Sequence, residues 1–409
     1  MFFKNQLALF SFSFLCISNL FALDIFDDSK NSLNITGDIA AGYFVNTSNG
    51  KQEFTAPSEN NNDSNFKLTF NSVSNPKLEV KAVVDFALIN DNTHDYYNIF
   101  TKEAFIALGN SNFGTISIGK QLSLINSWVF NDTTNHTSFS KLDAGFNYND
   151  ANTEGSDFAN GYMINSIVYV MPLSEHVSVG LQYQNSEEIL EPRFSYKITL
   201  DDALPYTQQM ESIKRLYNTG VALKYNNNIV RIAIGYTHSN LSNNIYNKYY
   251  TDESYSVSII PASSKDVDID TLSTGLGFSY SNFDFNVSAG YYRNLKAISV
   301  DHIGFAGSLS YNTGTVIPYI GYQYLFTNNS YGAMVNDNYI YSPRYLVGYN
   351  KKSIENNFGV LGVMFKAYNT LDLVLEYKED FRNSDQRKNA LKDRKENDII
   401  HVIVRYNII

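Results

Sequence analysis

The residues that come nearest to a catalytic arrangement in this chain of 409 are a histidine and a serine in the stretch YTHSN, residues 236–240. A serine nucleophile needs a base within hydrogen-bond reach. His238 and Ser239 are neighbours, however, and adjacent side chains of a strand point to opposite faces of a sheet. The stretch therefore indicates no hydrolytic site, and we expect no enzymatic activity.

Residue types that bind metals, cofactors or nucleic acids also lack a suitable pattern. The six histidines show no spacing typical of metal ligands, and no glycine-rich loop could hold a phosphate. The 31 Lys and Arg residues are outnumbered by 41 Asp and Glu residues, so the chain lacks the basic surface of a nucleic-acid-binding protein. We expect no metal, no cofactor and no nucleic-acid partner.

The first 22 residues are typical of a cleaved export signal. Lys4 supplies a positive charge, residues 7–17 form an apolar core, and Ala22 is a small residue at the expected cleavage point. A membrane anchor is the alternative, but the core is shorter than the roughly 20 residues of a spanning helix. Cys16 is the one cysteine, so a mature chain of residues 23–409 would have neither disulfide bonds nor a reactive thiol.

After residue 22 the dominant pattern is an alternation of apolar with polar or small residues. No stretch reaches the roughly 18 uninterrupted apolar residues of a transmembrane helix. In HIGFAGSLSY, residues 302–311, the side chains of Ile303, Phe305 and Leu309 alternate with small or polar ones. Because successive side chains of a strand point to opposite faces, each such segment predicts a strand with one apolar and one polar face.

Sixteen segments follow this pattern, and an even number is typical of closed barrels in bacterial outer membranes. Every second connection is a short turn, whereas the others are mostly longer and polar, which is the asymmetry of such barrels. The segments lie near residues 33–45, 65–73, 77–89, 97–109, 112–121, 162–172, 175–185, 216–226, 229–239, 269–281, 283–293, 301–312, 315–326, 355–367, 369–379 and 397–408.

We therefore predict an all-β fold, a closed antiparallel transmembrane β-barrel of about 16 strands. A soluble sandwich or β-helix is the alternative, but a sandwich leaves edges that need guarding, and no repeat of roughly 20 to 50 residues supports a solenoid. In lipid every backbone N–H and C=O must be paired, so a spanning sheet must close. A barrel of this size encloses an aqueous channel, and we expect residues 121–161 to fold inward after strand 5 and narrow it.

Four motifs resemble those of the general diffusion porins of Gram-negative outer membranes. TKEAFIAL (101–108) is similar to their fourth strand and GNSNFGTISIGKQ (109–121) to the end of the fifth. NSIVYVMPLSEHVSVGLQY (165–183) resembles their strands 6 and 7, and NDIIHVIVRYNII (397–409) their closing strand. Two residues depart from the family pattern: Tyr162 stands where an arginine is usual, and Ile409 where the chain usually ends on phenylalanine.

The resemblance implies an inward constriction loop whose acidic side chains face basic side chains of the wall. Lys102 and Lys120 match wall cations of the family by position. Opposed charges across a water-filled gap create a field that discriminates among solutes. Further candidates are the cations on predicted inward positions, Lys67, Lys81, Arg231 and Arg405, and the loop acids Asp143, Asp150, Glu154 and Asp157.

Glu103 falls on the predicted lipid-facing side of strand 4. A carboxylate in hydrocarbon is costly, so either a contact with another subunit or a position among the headgroups would explain it. The resemblance implies a homotrimer in the outer membrane, surrounded by outer-membrane lipid and lipopolysaccharide.

We expect an outer-membrane channel for the passive diffusion of small hydrophilic solutes and ions. The alternative is a barrel that acts mainly as an adhesin or structural protein. Its binding surfaces would be the polar connections near residues 186–215, 239–268 and 326–355.

Overall fold

Sixteen strands of the described residues pair edge to edge, each antiparallel to the next, in a computed structural model of the chain. The structure describes residues 23–27, 30–46, 52–55, 64–75, 78–91, 96–110, 112–132, 161–185, 189–190, 195–198, 207–250, 257–293, 301–328, 352–368, 370–383 and 399–408. Within these ranges no helix is long and apolar enough to cross a membrane. The predicted signal, residues 1–22, and residues 133–160 of the predicted constriction loop lie outside them.

Each strand overlaps one of the segments predicted from the alternation. The strands are β1 (Asn31–Asn46), β2 (Ser64–Asn75), β3 (Leu78–Asp91), β4 (Tyr96–Asn110), β5 (Gly114–Leu122), β6 (Tyr162–Pro172), β7 (Val177–Asn185), β8 (Thr207–Asn226), β9 (Val230–Tyr250), β10 (Val257–Tyr280), β11 (Phe283–Arg293), β12 (Asp301–Tyr311), β13 (Val316–Asn328), β14 (Lys352–Tyr368), β15 (Leu371–Asp380) and β16 (Ile399–Ile408). The predicted closed barrel of about 16 strands is thereby confirmed. Short strands Leu23–Asp27 and Gln52–Thr55 add to β1, and Ile189–Leu190 and Ser195–Ile198 add to β8.

The barrel closes where its first strand pairs with its last. β1 and β16 run antiparallel from Gly37 opposite Ile408 to Asn46 opposite Ile399. This pairing leaves neither strand with an open edge along the shared stretch. Short turns such as residues 227–229, where the Asn227 N–H donates to the Val230 carbonyl at 2.9 Å, join the strands at one rim.

Buried and exposed side chains alternate along the strands, which identifies the two faces of the wall. In β12, His302 and Ala306 are 0% and 2% exposed, whereas Ile303 and Phe305 are 47% and 43% exposed. The exposed face is apolar in strand after strand, as expected of a face turned to lipid. The buried face therefore turns to the lumen.

Strands β8, β9 and β10 are longer than predicted, at 20, 21 and 24 residues. The predicted loop at residues 239–268 is wrong, because β9 continues to Tyr250 and β10 begins at Val257. In sequence, HSNLSNN, residues 238–244, is mostly polar and lacks the alternation of the predicted segments. The backbone pairing of β9 with β10 nevertheless continues through it.

We expect Ile234→Lys to destabilise the barrel by about 2–4 kcal/mol, because residue 234 lies in the lipid-facing band of β9. Ile229→Lys, in the adjacent short turn, places the same charge near the membrane boundary and should cost about 0–1 kcal/mol. Denaturant unfolding of both variants in lipid vesicles measures the difference. Equal losses of stability would contradict the assignment of the lipid face.

Candidate functional site

The chain leaves the wall directly after β5 and begins a short helix inside the barrel. Ser123 starts this turn: its N–H donates to the Gly161 carbonyl at 3.0 Å, and its Oγ accepts the Asn126 N–H at 3.2 Å, as a helix N-cap does. The Gln182 side-chain oxygen on β7 accepts the Leu124 N–H at 2.7 Å. The π-helix that follows, Ile125–Asp132, is called the luminal helix below.

The luminal helix packs through apolar side chains against one side of the inner wall. It contacts β8, β9 and β10. The turn contributes Leu124 and the helix contributes Ile125, Trp128, Val129 and Phe130, all buried, to a cluster with Met163, Val168, Ala222, Ala233, Tyr292 and Leu325 of β6, β8, β9, β11 and β13. The Lys224 ammonium lies 5.0 Å from the centroid of a Trp128 ring, a distance at which a cation is attracted to an indole face.

Two glycines of the wall make room for the luminal helix. A Cβ at Gly180 would lie 2.8 Å from side-chain carbons of Leu124 and Trp128, and one at Gly235 would lie 2.8 Å from Ile125 Cγ1. Both separations are shorter than van der Waals contact. The helix can therefore lie this close to β7 and β9 only because both positions lack a side chain.

Beside the luminal helix, buried amide and hydroxyl side chains of several strands bond to one another. Gln182 Nε2 donates to Asn218 Oδ1 at 2.8 Å, and Asn218 Nδ2 donates to Ser239 Oγ at 2.6 Å. Gln121 Nε2 likewise donates to Ser166 Oγ at 3.1 Å. Amides and hydroxyls that bond to one another can be buried without the desolvation cost of a charge.

Most of the described luminal charges lie on strands β14–β16 and β1–β4, away from the luminal helix. Lys67 Nζ is 3.1 Å from Glu103 Oε2, and Arg405 donates to Asp372 Oδ2 from two nitrogens, at 2.8 and 3.2 Å. These pairs join neighbouring parts of the wall rather than facing each other across the lumen.

An apolar cluster also occupies the inner wall, where the sequence predicts a polar face. It comprises Ala40, Ala306, Ile317, Tyr319, Phe358, Val360, Met364, Val374 and Ile403. Glu376 is buried on the same inner face of β15 and accepts the Tyr319 hydroxyl at 2.7 Å. At these positions the inner face is thus apolar, although the alternation predicts a face of polar or small residues.

Four of the predicted pore-lining cations lie on the inner face: Lys67, Lys81, Arg231 and Arg405. Arg231 Nη2 lies 2.8 Å from Asp284 Oδ1. Lys102 is the extra residue of a β-bulge beside the Asp85–Glu103 pair. Lys120 shares a face with the exposed Ile116 and Ile118 and alternates with buried Gln121, so its predicted inward position is wrong. The predicted loop acids Asp143, Asp150, Glu154 and Asp157 lie outside the described residues.

Glu103 faces the lumen, and its predicted position toward lipid is wrong. It is 8% exposed and bonds to Lys67, whereas Ile106 and Leu108 of the same strand are exposed. The run from Ala104 to Leu108 is apolar on both faces, so its alternation could not choose between them. Glu103 Oε1 also accepts the Leu122 N–H at 3.4 Å, next to the point where the chain leaves the wall.

The structure separates His238 from Ser239, as the sequence predicts. Ser239 is fully buried on the inner face, whereas the His238 ring is on the outer face with Asp270, its Nδ1 2.9 Å from Asp270 Oδ1. No group of three or more His, Cys, Asp or Glu side chains in the described ranges could hold a metal ion.

A closed barrel with an apolar outer face and a charged, partly filled lumen defines a channel protein of the bacterial outer membrane. The sequence profile of the family described as Gram-negative porin matches residues 20–408. The chain belongs to this Gram-negative porin family, and it is an outer-membrane porin.

Solved porin structures share the fold. OmpF of Salmonella typhi, in complex with daunomycin, matches with a TM-score of 0.62 and 11% identity over 94% of this chain and 100% of the other. The outer-membrane channel DcaP of Acinetobacter baumannii gives a TM-score of 0.62 and 12% identity over 95% and 100%. An anion-selective porin from Comamonas acidovorans gives 0.58 and 12% over 92% and 100%. No protein of curated function matches the sequence.

The luminal helix carries Trp128, the one tryptophan of the chain, so its fluorescence reports on helix packing. We expect Gly180→Val to increase quenching of this emission by aqueous acrylamide, because the added side chain would displace Trp128 at a cost of about 1–3 kcal/mol. Gly307→Ala is the control, since its Cβ would meet nothing closer than 3.4 Å. Unchanged quenching in Gly180→Val would contradict the packing described.

Proposed function

We propose that the protein is a passive diffusion channel for small hydrophilic solutes and ions. The observation that supports this function best is the division of the lumen into two sides. The luminal helix packs against β6–β13, while the wall opposite carries Lys67, Glu103, Asp372 and Arg405. Solutes would pass between the helix and this charged wall.

We further propose that residues 121–161 form the constriction. The luminal helix supports this role because it directs the chain into the barrel directly after β5. Asp143, Asp150, Glu154 and Asp157 would then face the cations Lys67, Lys81 and Lys102. Charges on both sides of a narrow aqueous gap would favour polar solutes over apolar ones.

The assembly and export of the protein are part of the proposal. A homotrimer in outer-membrane lipid and lipopolysaccharide is expected from the family resemblance, and light scattering of the detergent-solubilised protein tests it. Cleavage of residues 1–22 is tested by N-terminal sequencing of the protein from outer membranes. The proposed channel has no enzymatic activity, in keeping with the opposite orientations of His238 and Ser239. Neither the family nor the fold supports the adhesin alternative.

Planar-bilayer recordings test the channel function directly. We expect the purified protein to give stepwise conductance increases, and the double variant Ile125→Ala, Trp128→Ala to give steps of changed size because the helix loses two of the side chains that hold it against the wall. Trp→Ala alone costs about 3–5 kcal/mol when the site is well packed, so circular dichroism should first verify an intact barrel. Wild-type protein that inserts as a folded barrel and gives no steps would refute the channel function.

A further inference from the structure

The first turn of the luminal helix is capped partly by a side chain of the barrel wall. The first N–H groups of a helix have no partner within the helix. Ser123 Oγ accepts the N–H of Asn126, and Gln182 Oε1 of β7 accepts the N–H of Leu124 at 2.7 Å. Leu124 and Gln182 are 3% and 5% exposed, so water has little access to this bond. A residue of the wall therefore does what a cap of the helix itself would otherwise do.

Gln182 is itself held by the two strands that follow β7. Its Nε2 donates to Asn218 Oδ1 of β8 at 2.8 Å, and Asn218 Nδ2 donates to Ser239 Oγ of β9 at 2.6 Å. All three side chains are buried. The bond from Nε2 sets the orientation of the Gln182 amide, because a turned amide would present its own N–H groups to the Leu124 N–H. The Gln182 oxygen therefore points to the helix.

The path of the Gln182 side chain depends on a glycine of the neighbouring strand. Gln182 is paired in register with Gly220 of β8. A Cβ at Gly220 would lie 2.8 Å from Gln182 Cγ and 2.9 Å from Gln182 Cδ, and both separations are shorter than van der Waals contact. The side chain can lie across β8, where it reaches Asn218, only because residue 220 has no side chain.

We propose that Gln182 is a positioning residue of the channel, which fixes the start of the luminal helix in the lumen. This inference rests on the channel function proposed above and names the wall residue on which the position of the helix depends. Without the Gln182 oxygen, the buried N–H of Leu124 would lose its acceptor, and a buried donor without an acceptor is costly. The start of the helix would then leave its packed position more often, and the open cross-section of the pore would fluctuate.

Two substitutions of residue 182 separate capping from packing, because Met and Glu both resemble Gln in length. Gln182→Met keeps the packing and removes the acceptor. We expect it to occupy subconductance levels in planar bilayers about tenfold more often, the effect of one buried donor left without a partner. Gln182→Glu keeps an acceptor beside the positive end of the helix and should show the wild-type occupancy. In this variant the Asn218 amide can turn and donate to the new carboxylate.

Gly220→Ala displaces the Gln182 side chain without replacing it. We expect this variant to raise the occupancy of subconductance levels as Gln182→Met does, because the added Cβ occupies the path of Gln182. It also provides the test if Gln182→Met does not insert. Gly307→Ala is the matched control, since its Cβ would meet nothing closer than 3.4 Å, and it should behave as the wild type.

Quenching of Trp128 emission by acrylamide is a second readout, and it does not require conduction. It should increase in Gln182→Met and in Gly220→Ala and stay at the wild-type level in Gln182→Glu. Wild-type occupancy and quenching in Gln182→Met, or a larger disturbance in Gln182→Glu than in Gln182→Met, would overturn the proposal. Wild-type protein without conductance would instead refute the channel function, while the fluorescence would still test whether Gln182 positions the helix.

Discussion

The structure depends on the need to pair every backbone N–H and C=O group that lies in hydrocarbon, because no water is present there to form hydrogen bonds with these groups. Antiparallel strands meet this need only if the sheet has no free edge, and the pairing of β1 with β16 removes it. Because the backbone hydrogen bonds are fixed in this way, only the side chains can vary. Lipid requires apolar residues on the outer face, so the inner face is where the chain can develop a function.

The interior of the barrel contains both a water-filled lumen and an apolar helix. The distribution of side chains on the inner wall explains how both are accommodated. Gly180 of the wall lies against Leu124 and Trp128, and Gly235 lies against Ile125, so the helix can come close to the wall. A charge beneath the helix would lose its hydration, at a cost that only a well-placed partner offsets. Apolar side chains, amides and hydroxyls therefore predominate on this side, with Lys224 as an exception, and most of the described charges are on β14–β16 and β1–β4.

The sequence predicts the strands well because alternation and strand geometry share a period of two. It predicts less well which face of a strand points into the lumen, because the alternation does not distinguish the two faces when both are apolar. The failure at Glu103 has this form. The failure at Lys120 has another cause: its inward position is implied by the match to the porin family, whereas the alternation of β5 puts Lys120 on the same face as Ile116 and Ile118. In β13, Tyr319 is buried on the inner face and Ile320 exposed on the outer, although either residue type could face lipid.

Other features escape sequence analysis for different physical reasons. Strands β9 and β10 continue through backbone pairing into stretches such as HSNLSNN, residues 238–244, where the sequence shows no strict alternation. The luminal helix contains INSWVF, residues 125–130. Its apolar side chains pack against residues of the wall that are distant in sequence. A single sequence does not show that partner. The cation candidates Lys67, Lys81, Arg231 and Arg405 could be found, because their strands each have one clearly apolar face.

Pairing within the wall decides which luminal charges influence a passing ion. Arg231 is held by Asp284 and Arg405 by Asp372, each at 2.8 Å. Such a pair acts on a distant ion as a dipole, whose field falls off faster than that of a single charge. Replacing one partner of such a pair by a neutral residue would leave the charge of the other partner uncompensated in the lumen. Selectivity should therefore come from places in the wall where opposite charges are not paired in this way.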